Sequence, residues 1–419
     1  MYEEVQAATS TPTAIGRGIL HATNLERVVQ ALAFYGPCTQ AELSRAVGLS
    51  RAGMHMIVHE LAETGRLEIL PGPTKRDTTI KLVANSGRYI VLDLGHRSVH
   101  GRLVDFSRKA SYDLAETITG GQHHAHDLAA IGRVVNGLTK QAGIELEAVD
   151  NVVVTLHAPI DAGGIVSPSS ITPDWAGLNP REIISSYLDK DVIVENDANA
   201  AAIAEWAWGA GRGSNCFVYV KTSQGVGAGI VLNGQVFRGA TGIAGEIGHI
   251  VVEPHGPLCN CGNRGCLSAV ASGQAILAQF DLIHDAPSSL HELVDRALAN
   301  NPVASRVIAE AGHHLGVALA HVIAILGPDR VAIGGEFARV GKPHLDAIQA
   351  TVAERTVQAV SVATTITHGL IEDSPSLMGG LLLAMRTKNQ ALSVIPDWIG
   401  QGGKKPSGRK PKGGANRKK

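Results

Sequence analysis

The chain has few of the features that would place it outside the cell or in a membrane. Its 5 cysteines in 419 residues are too few for a disulfide scaffold. The opening MYEEVQAATS carries acids where a signal peptide needs lysines, and no uninterrupted apolar run reaches the roughly 18 residues that span a membrane. These absences exclude a secreted disulfide-rich protein and predict a cytoplasmic protein that does not contact a membrane.

The net charge of −1 hides a segregation of charge along the chain. Residues 404–419 hold eight Lys or Arg and no acid, and residues 1–83 hold eight of each sign, which leaves 21 basic and 30 acidic residues in 84–403. A tail rich in Gly, Pro and Lys buries too little apolar surface to fold. We therefore predict that residues 1–20 and 391–419 are disordered. The C-terminal tail is either a solvated segment or an arm that contacts DNA non-specifically.

The strongest local signal is a group of one histidine and three cysteines in the segment HIVVEPHGPLCNCGNRGC. These residues, His249, Cys259, Cys261 and Cys266, are separated by nine, one and four residues. Thiolate and imidazole are the ligands that tetrahedral Zn²⁺ prefers, and four of them form a closed structural site. The spacing predicts one structural zinc ion, and the alternative is a chance group of buried cysteines.

Residues 21–83 show three helical segments followed by two short strands. Helical periodicity starts at Leu25, a capping box at Thr39 opens a second helix, and Ser50 is placed to cap a third. A helix, a short helix, a glycine turn, a capped helix and a basic hairpin are typical of a winged helix-turn-helix. A small helical protein-interaction domain is the alternative.

The outward face of the third helix and the wing carry the candidate contacts to double-stranded operator DNA. They are Ser50, Arg51, Gly53, His55, Met56, His59, Lys75 and Arg76. Arg and Ser suit phosphate oxygens or base edges, and Gly53 permits a close approach to the major groove.

Residues 84–390 repeat one pattern, in which strands of a meander are followed by crossover helices. The first half runs from the strand YIVLDLG to the strand VIVE and the helix that begins NDANAAA. The second half contains the strands FVYVKT, GAGIVLNG and RVAIGG, with helices at 303–326, 342–358 and 376–387. The pattern predicts an α/β protein of two stacked lobes with a cleft between them.

Four motifs resemble those of the ROK family, named for repressors, open reading frames and sugar kinases. They are DLG with its meander, VENDANAAA, RGATGIAGEIGH and CNCGNRGC, and the resemblance covers about residues 25–388. It implies a two-lobed actin-like ATPase fold, with ribonuclease-H-like lobes around a sugar cleft, after the winged helix-turn-helix. Because the family's free kinases lack a DNA-binding domain, the resemblance implies the repressor branch.

The resemblance also implies which residues would bind a sugar. Asp197 matches the carboxylate that takes a proton from a sugar hydroxyl in the family's kinases, and would be a vestigial base in a regulator. Asn196, Glu246 and His249 match groups that hydrogen-bond sugar hydroxyls, and Ser170 is a weaker match. His249 would bind zinc with one ring nitrogen and face the sugar with the other. For Asn196 and Asp197 the alternative is a helix-capping pair.

Three places depart from the family's pattern. Ser268 stands where a carboxylate is common, which leaves the identity of the sugar open. His96 and Arg97 occupy the first phosphate turn where small residues are expected, and Gln224 interrupts the second phosphate loop. Because phosphoryl transfer depends on a backbone cradle for the phosphates, we predict no kinase activity.

Together these features predict a sugar-responsive transcription regulator, a repressor of genes for carbohydrate uptake or catabolism. A helix-turn-helix reads two half-sites, which predicts a homodimer or homotetramer. No basic residue is assigned to the cleft motifs, so an unphosphorylated sugar is the expected effector. Two alternatives stay open: a sugar kinase with an accessory DNA-binding domain, and a regulator controlled by a protein partner.

Overall fold

A computed structural model of the chain describes residues 24–25, 27–29, 31–32, 36–72, 78–83, 87–119, 123–168, 172–280, 285–387 and 399. The predictions for Ser170, Lys75, Arg76, residues 1–20 and nearly all of 391–419 lie outside the described residues.

The strands within the described residues fall into three sheets. They are β1 (Cys38–Thr39), β2 (Leu67–Leu70), β3 (Thr79–Leu82), β4 (Arg88–Leu94), β5 (Ser98–Asp105), β6 (Ala110–Thr117), β7 (Asn151–Leu156), β8 (Val192–Asn196), β9 (Cys216–Thr222), β10 (Val226–Leu232), β11 (Gln235–Val236), β12 (Arg330–Gly334) and β13 (Thr365–His368).

Residues 24–25, 27–29 and 31–32 are helical. The α-helices that follow are α1 (Gln40–Val47), α2 (Arg51–Glu63), α3 (His124–Ala142), α4 (Pro180–Leu188), α5 (Asp197–Trp208), α6 (Leu267–Ala271), α7 (Gly273–Gln279), α8 (Leu290–Leu298), α9 (Pro302–Leu326), α10 (Lys342–Arg355), α11 (Gln358–Ala363) and α12 (Pro375–Thr387).

The N-terminal unit packs helices against a three-stranded sheet of order β1-β3-β2. Thr39 and Glu42 form the expected capping box, and Gly48 ends α1 in the left-handed conformation, with φ 71°. The Ser50 hydroxyl accepts a hydrogen bond from the Gly53 backbone nitrogen at 3.1 Å and caps α2. The buried face of α2 then fills the core with Met54, Ile57, Val58 and Leu61.

The first lobe is a five-stranded sheet of order β6-β5-β4-β7-β8. Its strands β4, β5 and β6 pair antiparallel as a meander, whereas β7 runs parallel to β4 and β8 runs parallel to β7. Because successive side chains point to opposite faces, one face packs under α3 and α4 with Ile90, Leu92, Val152 and Val154. The other face, with Tyr89, Val91 and Val153, points toward the second lobe.

The second lobe is a five-stranded sheet of order β11-β10-β9-β12-β13. Its outer face packs against α8, α9 and α10. By length and composition α9 could cross a membrane, but 61% of its most apolar window is buried inside the protein. Apolar residues all along α9 belong to the core of this lobe, which accounts for its hydropathy.

The helices α5 and α12 lie between the two sheets and join both lobes in one core. Their backbones approach closely, because a Cβ atom at Gly379 would lie 1.7 Å from the carbonyl oxygen of Ala200. The alanine-rich sequence of α5 permits this approach. As a result, the N-terminus of α5 meets the carboxyl ends of β7 and β9 at the junction between the lobes.

Candidate functional site

His249, Cys259, Cys261 and Cys266 form a compact group that we call the cysteine cluster. Their ligand atoms all lie within 4.8 Å of one another. His249 Nδ1 is 3.6 Å from Cys259 Sγ, and Cys261 Sγ is 3.6 Å from Cys266 Sγ. A Zn–S bond of about 2.3 Å gives tetrahedral ligand separations of about 3.8 Å, so the spacing fits a metal ion of this size. The four residues can therefore hold a metal ion.

A tight loop brings these four residues together. An isolated antiparallel bridge pairs Val251 with Cys266. Gly265 has φ 64°, and a Cβ atom there would lie 1.5 Å from the carbonyl oxygen of Glu253, so the turn requires glycine. Burial and the neighbouring thiols raise the pKa of Cys266 to about 12. A bound cation would remove the cost of ionising several thiols at such short range.

Asp197 lies in a second group, which we call the interlobe cluster: Asp93, His157, Asp197 and Lys221. Lys221 Nζ donates to Asp197 Oδ2 at 2.5 Å and lies 2.8 Å from His157 Nε2. His157 Nε2 lies 3.0 Å from Asp197 Oδ2 and 3.7 Å from Asp93 Oδ1. The carboxylate that the sequence marks as a vestigial base is therefore already paired with an internal cation.

The charges of the interlobe cluster stabilise one another. Burial by itself would raise the pKa of Asp197, but His157 and Lys221 outweigh it and hold that pKa well below its ordinary value. Burial likewise opposes the charge of Lys221, but Asp197 and Asp93 raise the pKa of Lys221. A general base works best with a pKa near the operating pH, so this pairing makes Asp197 a poor proton acceptor.

Asn196 serves as the cap of α5. Its Oδ1 accepts from the backbone nitrogens of Ala198 and Asn199 at 3.0 Å, and its Nδ2 donates to the carbonyl oxygen of Ala158 at 3.0 Å. The capping role that the sequence left open is thus present for Asn196, and Asp197 is the first residue of the helix.

Glu246 and His249 are three positions apart. His249 is the last residue of the short helical turn Ile247–His249, and Glu246 immediately precedes that turn. Burial and the nearby Asp197 raise the pKa of Glu246 to about 7. Its carboxyl group can therefore donate as well as accept a hydrogen bond near neutral pH. Ser268 borders the same turn, because a Cβ atom on Gly248 would lie 2.3 Å from Ser268 Oγ. The departure at Ser268 is thus next to the predicted sugar contacts.

The resemblance implies two segments for binding phosphate, one around His96 and Arg97 and one around Ser223. His96 and Arg97 are exposed at the tip of the turn between β4 and β5. In the second segment, the backbone nitrogen of Gly273 donates to the carbonyl oxygen of Ser223 at 2.8 Å. That first amide of α7 is thus bonded to the loop and is occupied within the protein.

The predicted DNA-contacting face of α2 points to solvent. Gly53 is half-buried, and the exposed residues are Ser50, Arg51, His55, Met56 and His59. Met56 is 62% exposed, which is high for a large apolar side chain. The imidazole rings of His55 and His59 stack with centroids 6.4 Å apart. Since the Ser50 hydroxyl caps the helix, Arg51 and the two histidines are the polar groups best placed to reach a partner.

Comparison with known protein families gives one decisive match. The profile of the ROK family matches residues 89–387, which is more than half of the chain. The chain belongs to the ROK family. An N-acetylglucosamine repressor of Escherichia coli O6:H1 is 28% identical over 380 residues, covering 87% of this chain and 92% of that protein. A glucokinase of Thermotoga maritima is 33% identical over 238 residues, covering 53% of this chain and 75% of that protein.

Among solved structures, this ROK chain is similar to a ROK family transcriptional regulator described as a homolog of the E. coli MLC protein. The TM-score is 0.69 at 23% identity, and the match covers 88% of this chain and 97% of that one. At this identity the likeness bears on the fold alone. It confirms the predicted mixed α/β architecture in its ROK kinase-like form.

Sequence reasoning missed two residues of the interlobe cluster in this ROK protein. Lys221 and His157 lie 24 and 40 positions from Asp197, Lys221 on β9 and His157 just after β7, so no local motif links them. The sequence assigned no basic residue to the cleft motifs, whereas the structure places Lys221, which lies outside those motifs, in direct contact with Asp197. The one available signal was a lysine at the end of the otherwise apolar strand FVYVKT.

Proposed function

We propose that this ROK protein is a transcription regulator, a repressor of carbohydrate genes that responds to a sugar. The observation that carries the proposal is the extent of the similarities. The alignment with the N-acetylglucosamine repressor is longer than the stretch from residue 89 to the end, so it includes part of the N-terminal unit. The alignment with the glucokinase covers only 53% of the chain. Part of the N-terminal unit therefore aligns with a repressor, which supports the proposal.

In this proposal residues 21–83 form a winged helix-turn-helix. The left-handed Gly48 between α1 and α2 supports it, as does the exposed polar face of α2. Arg51 and His55 would enter the major groove, and Lys75 and Arg76 would lie in the wing. Because such a unit reads two half-sites, the active form would be a homodimer or homotetramer, acting in the cytoplasm on operator DNA.

Residues 84–390 would be the effector and oligomerisation domain, with zinc in the cysteine cluster. The donor set of three thiolates and one imidazole supports zinc over harder ions. A closed four-ligand set has no open position for a substrate, so the ion would be structural. It would hold the turn that carries Glu246 and His249.

The sugar would bind at the interlobe junction, on Ser170, Asn196, Asp197, Glu246 and His249. Phosphoryl transfer is not part of the proposal. The ion pair of Asp197 with Lys221 weakens the only candidate base in the motif, and the exposed His96 and Arg97 replace the small residues of a phosphate turn.

The DNA-binding proposal is tested with genomic fragments that the full-length protein selects. Arg51→Ala and His55→Ala should each weaken binding to the selected fragment by about 1–3 kcal/mol, as expected for base contacts. Lys140→Ala, at the far end of α3, is the matched surface control and should bind like wild type. Equal affinity of the wild type for selected and scrambled DNA would refute the proposal that the protein is a sequence-specific transcription regulator.

Removing residues 404–419 distinguishes the contribution of the tail to DNA binding from that of the helix-turn-helix. If the tail contacts phosphate, binding to all sequences should weaken and the dependence on salt should flatten. If affinity and salt dependence stay at wild-type values, the tail is a solvated segment.

The sugar proposal is tested by thermal shift with D-glucose, D-xylose and N-acetyl-D-glucosamine and the phosphate ester of each. A ligand of the folded state raises the melting temperature, and Asp197→Ala should abolish the rise. The sugar that binds should weaken operator binding, and operator should weaken sugar binding by the same factor. Sugar-dependent ATP turnover that Asp197→Asn abolishes would establish a kinase instead.

A further inference from the structure

Lys221 connects parts of the molecule that belong to different lobes. It lies on β9 of the second-lobe sheet, whereas His157 follows β7 of the first-lobe sheet, and Asp197 begins α5 between them. The Lys221 ammonium is 2.8 Å from His157 Nε2 and 2.5 Å from Asp197 Oδ2. One side chain therefore spans the junction at which the sugar is proposed to bind.

The first-lobe end of this bridge is fixed in place. His157 Nε2 lies 3.7 Å from Asp93 Oδ1, and the two oxygens of Asp93 accept hydrogen bonds from the Thr155 and Ser376 hydroxyls at 2.7 Å each. The turn at Gly95 also closes on the imidazole, because a Cβ atom there would lie 3.5 Å from His157 Cε1. The imidazole cannot follow a moving ammonium, so displacement of Lys221 breaks the bridge.

A sugar hydroxyl that bonds to Asp197 Oδ2 must compete with Lys221 for that oxygen. Asp197 Oδ2 accepts a hydrogen bond from Lys221, whose ammonium also donates to the unprotonated Nε2 of His157, and the Asp197 side chain is only 10% exposed. A hydroxyl that donates to this carboxylate takes hydrogen-bonding capacity from the ammonium. The Lys221 side chain is 21% exposed, so an ammonium that loses its carboxylate there must turn toward water or move with β9.

We propose that Lys221 bridges the two lobes in the sugar-free protein and that a sugar hydroxyl on Asp197 releases the bridge. Sugar binding then changes the angle between the lobes, and with it the spacing of the DNA-binding units. The inference rests on the proposed function for the location of the sugar, and adds the residue that couples the sugar to lobe geometry. It also assigns the ligand class: Asp93 and Asp197 carry more negative charge than the one ammonium of Lys221 balances, which disfavours a phosphate group, so the effector is a neutral sugar.

The bridge itself is tested without any ligand, by amide hydrogen exchange on full-length protein. In Lys221→Met the amides of residues 155–158 and 220–223, on the two sides of the junction, should exchange about tenfold faster than in wild type. Lys342→Met removes a lysine from an exposed ion pair with Asp346 and should leave both segments unchanged. If Lys221→Met does not fold, His157→Ala serves instead, because it leaves the Lys221–Asp197 pair intact. Wild-type exchange at both segments would overturn the bridge.

The release is tested by measuring operator affinity with and without D-glucose, D-xylose or N-acetyl-D-glucosamine. In wild type the sugar that raises the melting temperature should change operator affinity about tenfold or more, whereas in Lys221→Met the change should fall to less than about twofold. Lys221→Arg keeps the cation and should restore most of the coupling.

The outcomes separate the two proposals. Unchanged coupling in Lys221→Met, with sugar still bound, overturns the release and leaves the sugar-responsive repressor standing. A wild type that none of the sugars stabilises counts against the proposed function and the release together, and the exchange measurement then decides the bridge alone. A phosphate ester that binds more tightly than its parent sugar overturns the assigned ligand class.

Discussion

The cysteine cluster and the interlobe cluster solve the same electrostatic problem in opposite ways. The ligand atoms of three thiols and an imidazole lie within 4.8 Å of one another, so ionisation of the thiols requires a cation from outside the chain. In the interlobe cluster Asp93 and Asp197 lie close to Lys221, so the chain supplies the cation itself. The first arrangement can hold an ion, whereas in the proposed release the second has a partner that a ligand would displace.

This difference bears on function. A closed metal site makes a rigid turn, and here that turn carries Glu246 and His249. An internal ion pair can exchange partners, and Lys221 joins elements from both lobes. A rigid support beside an exchangeable contact is what a ligand-operated regulator needs, because the ligand must favour one of two arrangements.

The largest loss of stability should come from removing the predicted zinc ion of the cysteine cluster. Cys261→Ser should reduce the metal content from one zinc per chain to none and destabilise the protein severely, because the free energy of zinc binding, about 10 kcal/mol or more, is folding free energy in such sites. Elemental analysis and melting temperature measure both effects. Cys216→Ser changes a half-buried cysteine outside the cluster and should keep the metal. A metal-free, fully stable wild type would contradict the prediction.

The next largest effect should come from removing the internal cation. Lys221→Met leaves a buried carboxylate without its ammonium and should cost about 3–5 kcal/mol of unfolding free energy. Adding Asp197→Asn should recover most of that loss, since the double variant lacks the carboxylate that Lys221 contacts directly. Urea unfolding of the wild type, both single variants and the double variant gives the four unfolding free energies of a double-mutant cycle. Strictly additive losses would show that the two side chains do not depend on each other.

His344 is a third case, a buried ionisable group with no counter-ion. It is 1% exposed, and its Nδ1 has no hydrogen-bond partner among the described residues. Burial and the nearby His368 lower the pKa of His344 to about 4. Burial without a partner therefore keeps this imidazole neutral.

The sign of the resulting pH dependence follows from linkage. Between the unfolded pKa of about 6.5 and the folded value, the unfolded chain binds a proton that the folded protein does not, so stability falls as the pH falls. The loss attributable to His344 should approach about 3 kcal/mol from pH 7 to pH 4. Urea unfolding at both pH values should show a smaller loss in His344→Phe, whose ring cannot titrate. Equal losses in the two proteins would contradict the assignment.

The sequence revealed the two clusters unequally, for a physical reason. His249 and the three cysteines lie within 18 residues, so their spacing alone indicates a metal site. The interlobe cluster draws Asp93 from β4, Lys221 from β9 and His157 from the residue after β7, and only the strand order of the two sheets brings them together. Fold elements show the same contrast: the 25-residue α9 was predicted as 303–326, one residue short of its observed start, whereas the four-residue β13 was missed because TITH has no apolar run.

The smallest effect should come from an ion pair that water already surrounds. Lys342 Nζ lies 2.6 Å from Asp346 Oδ2, closer than many buried pairs, but the two side chains are 81% and 51% exposed. Solvent screens such a pair, so Lys342→Met should change the free energy of unfolding by less than about 0.5 kcal/mol. Added salt should remove even that difference, because it screens exposed charges. Lys221→Met and Lys342→Met both delete a lysine at hydrogen-bonding distance from an aspartate. Equal losses of unfolding free energy in the two variants would show that burial at the interlobe junction does not strengthen the contribution of Lys221 to stability. The bridge between the lobes would then lose its physical basis.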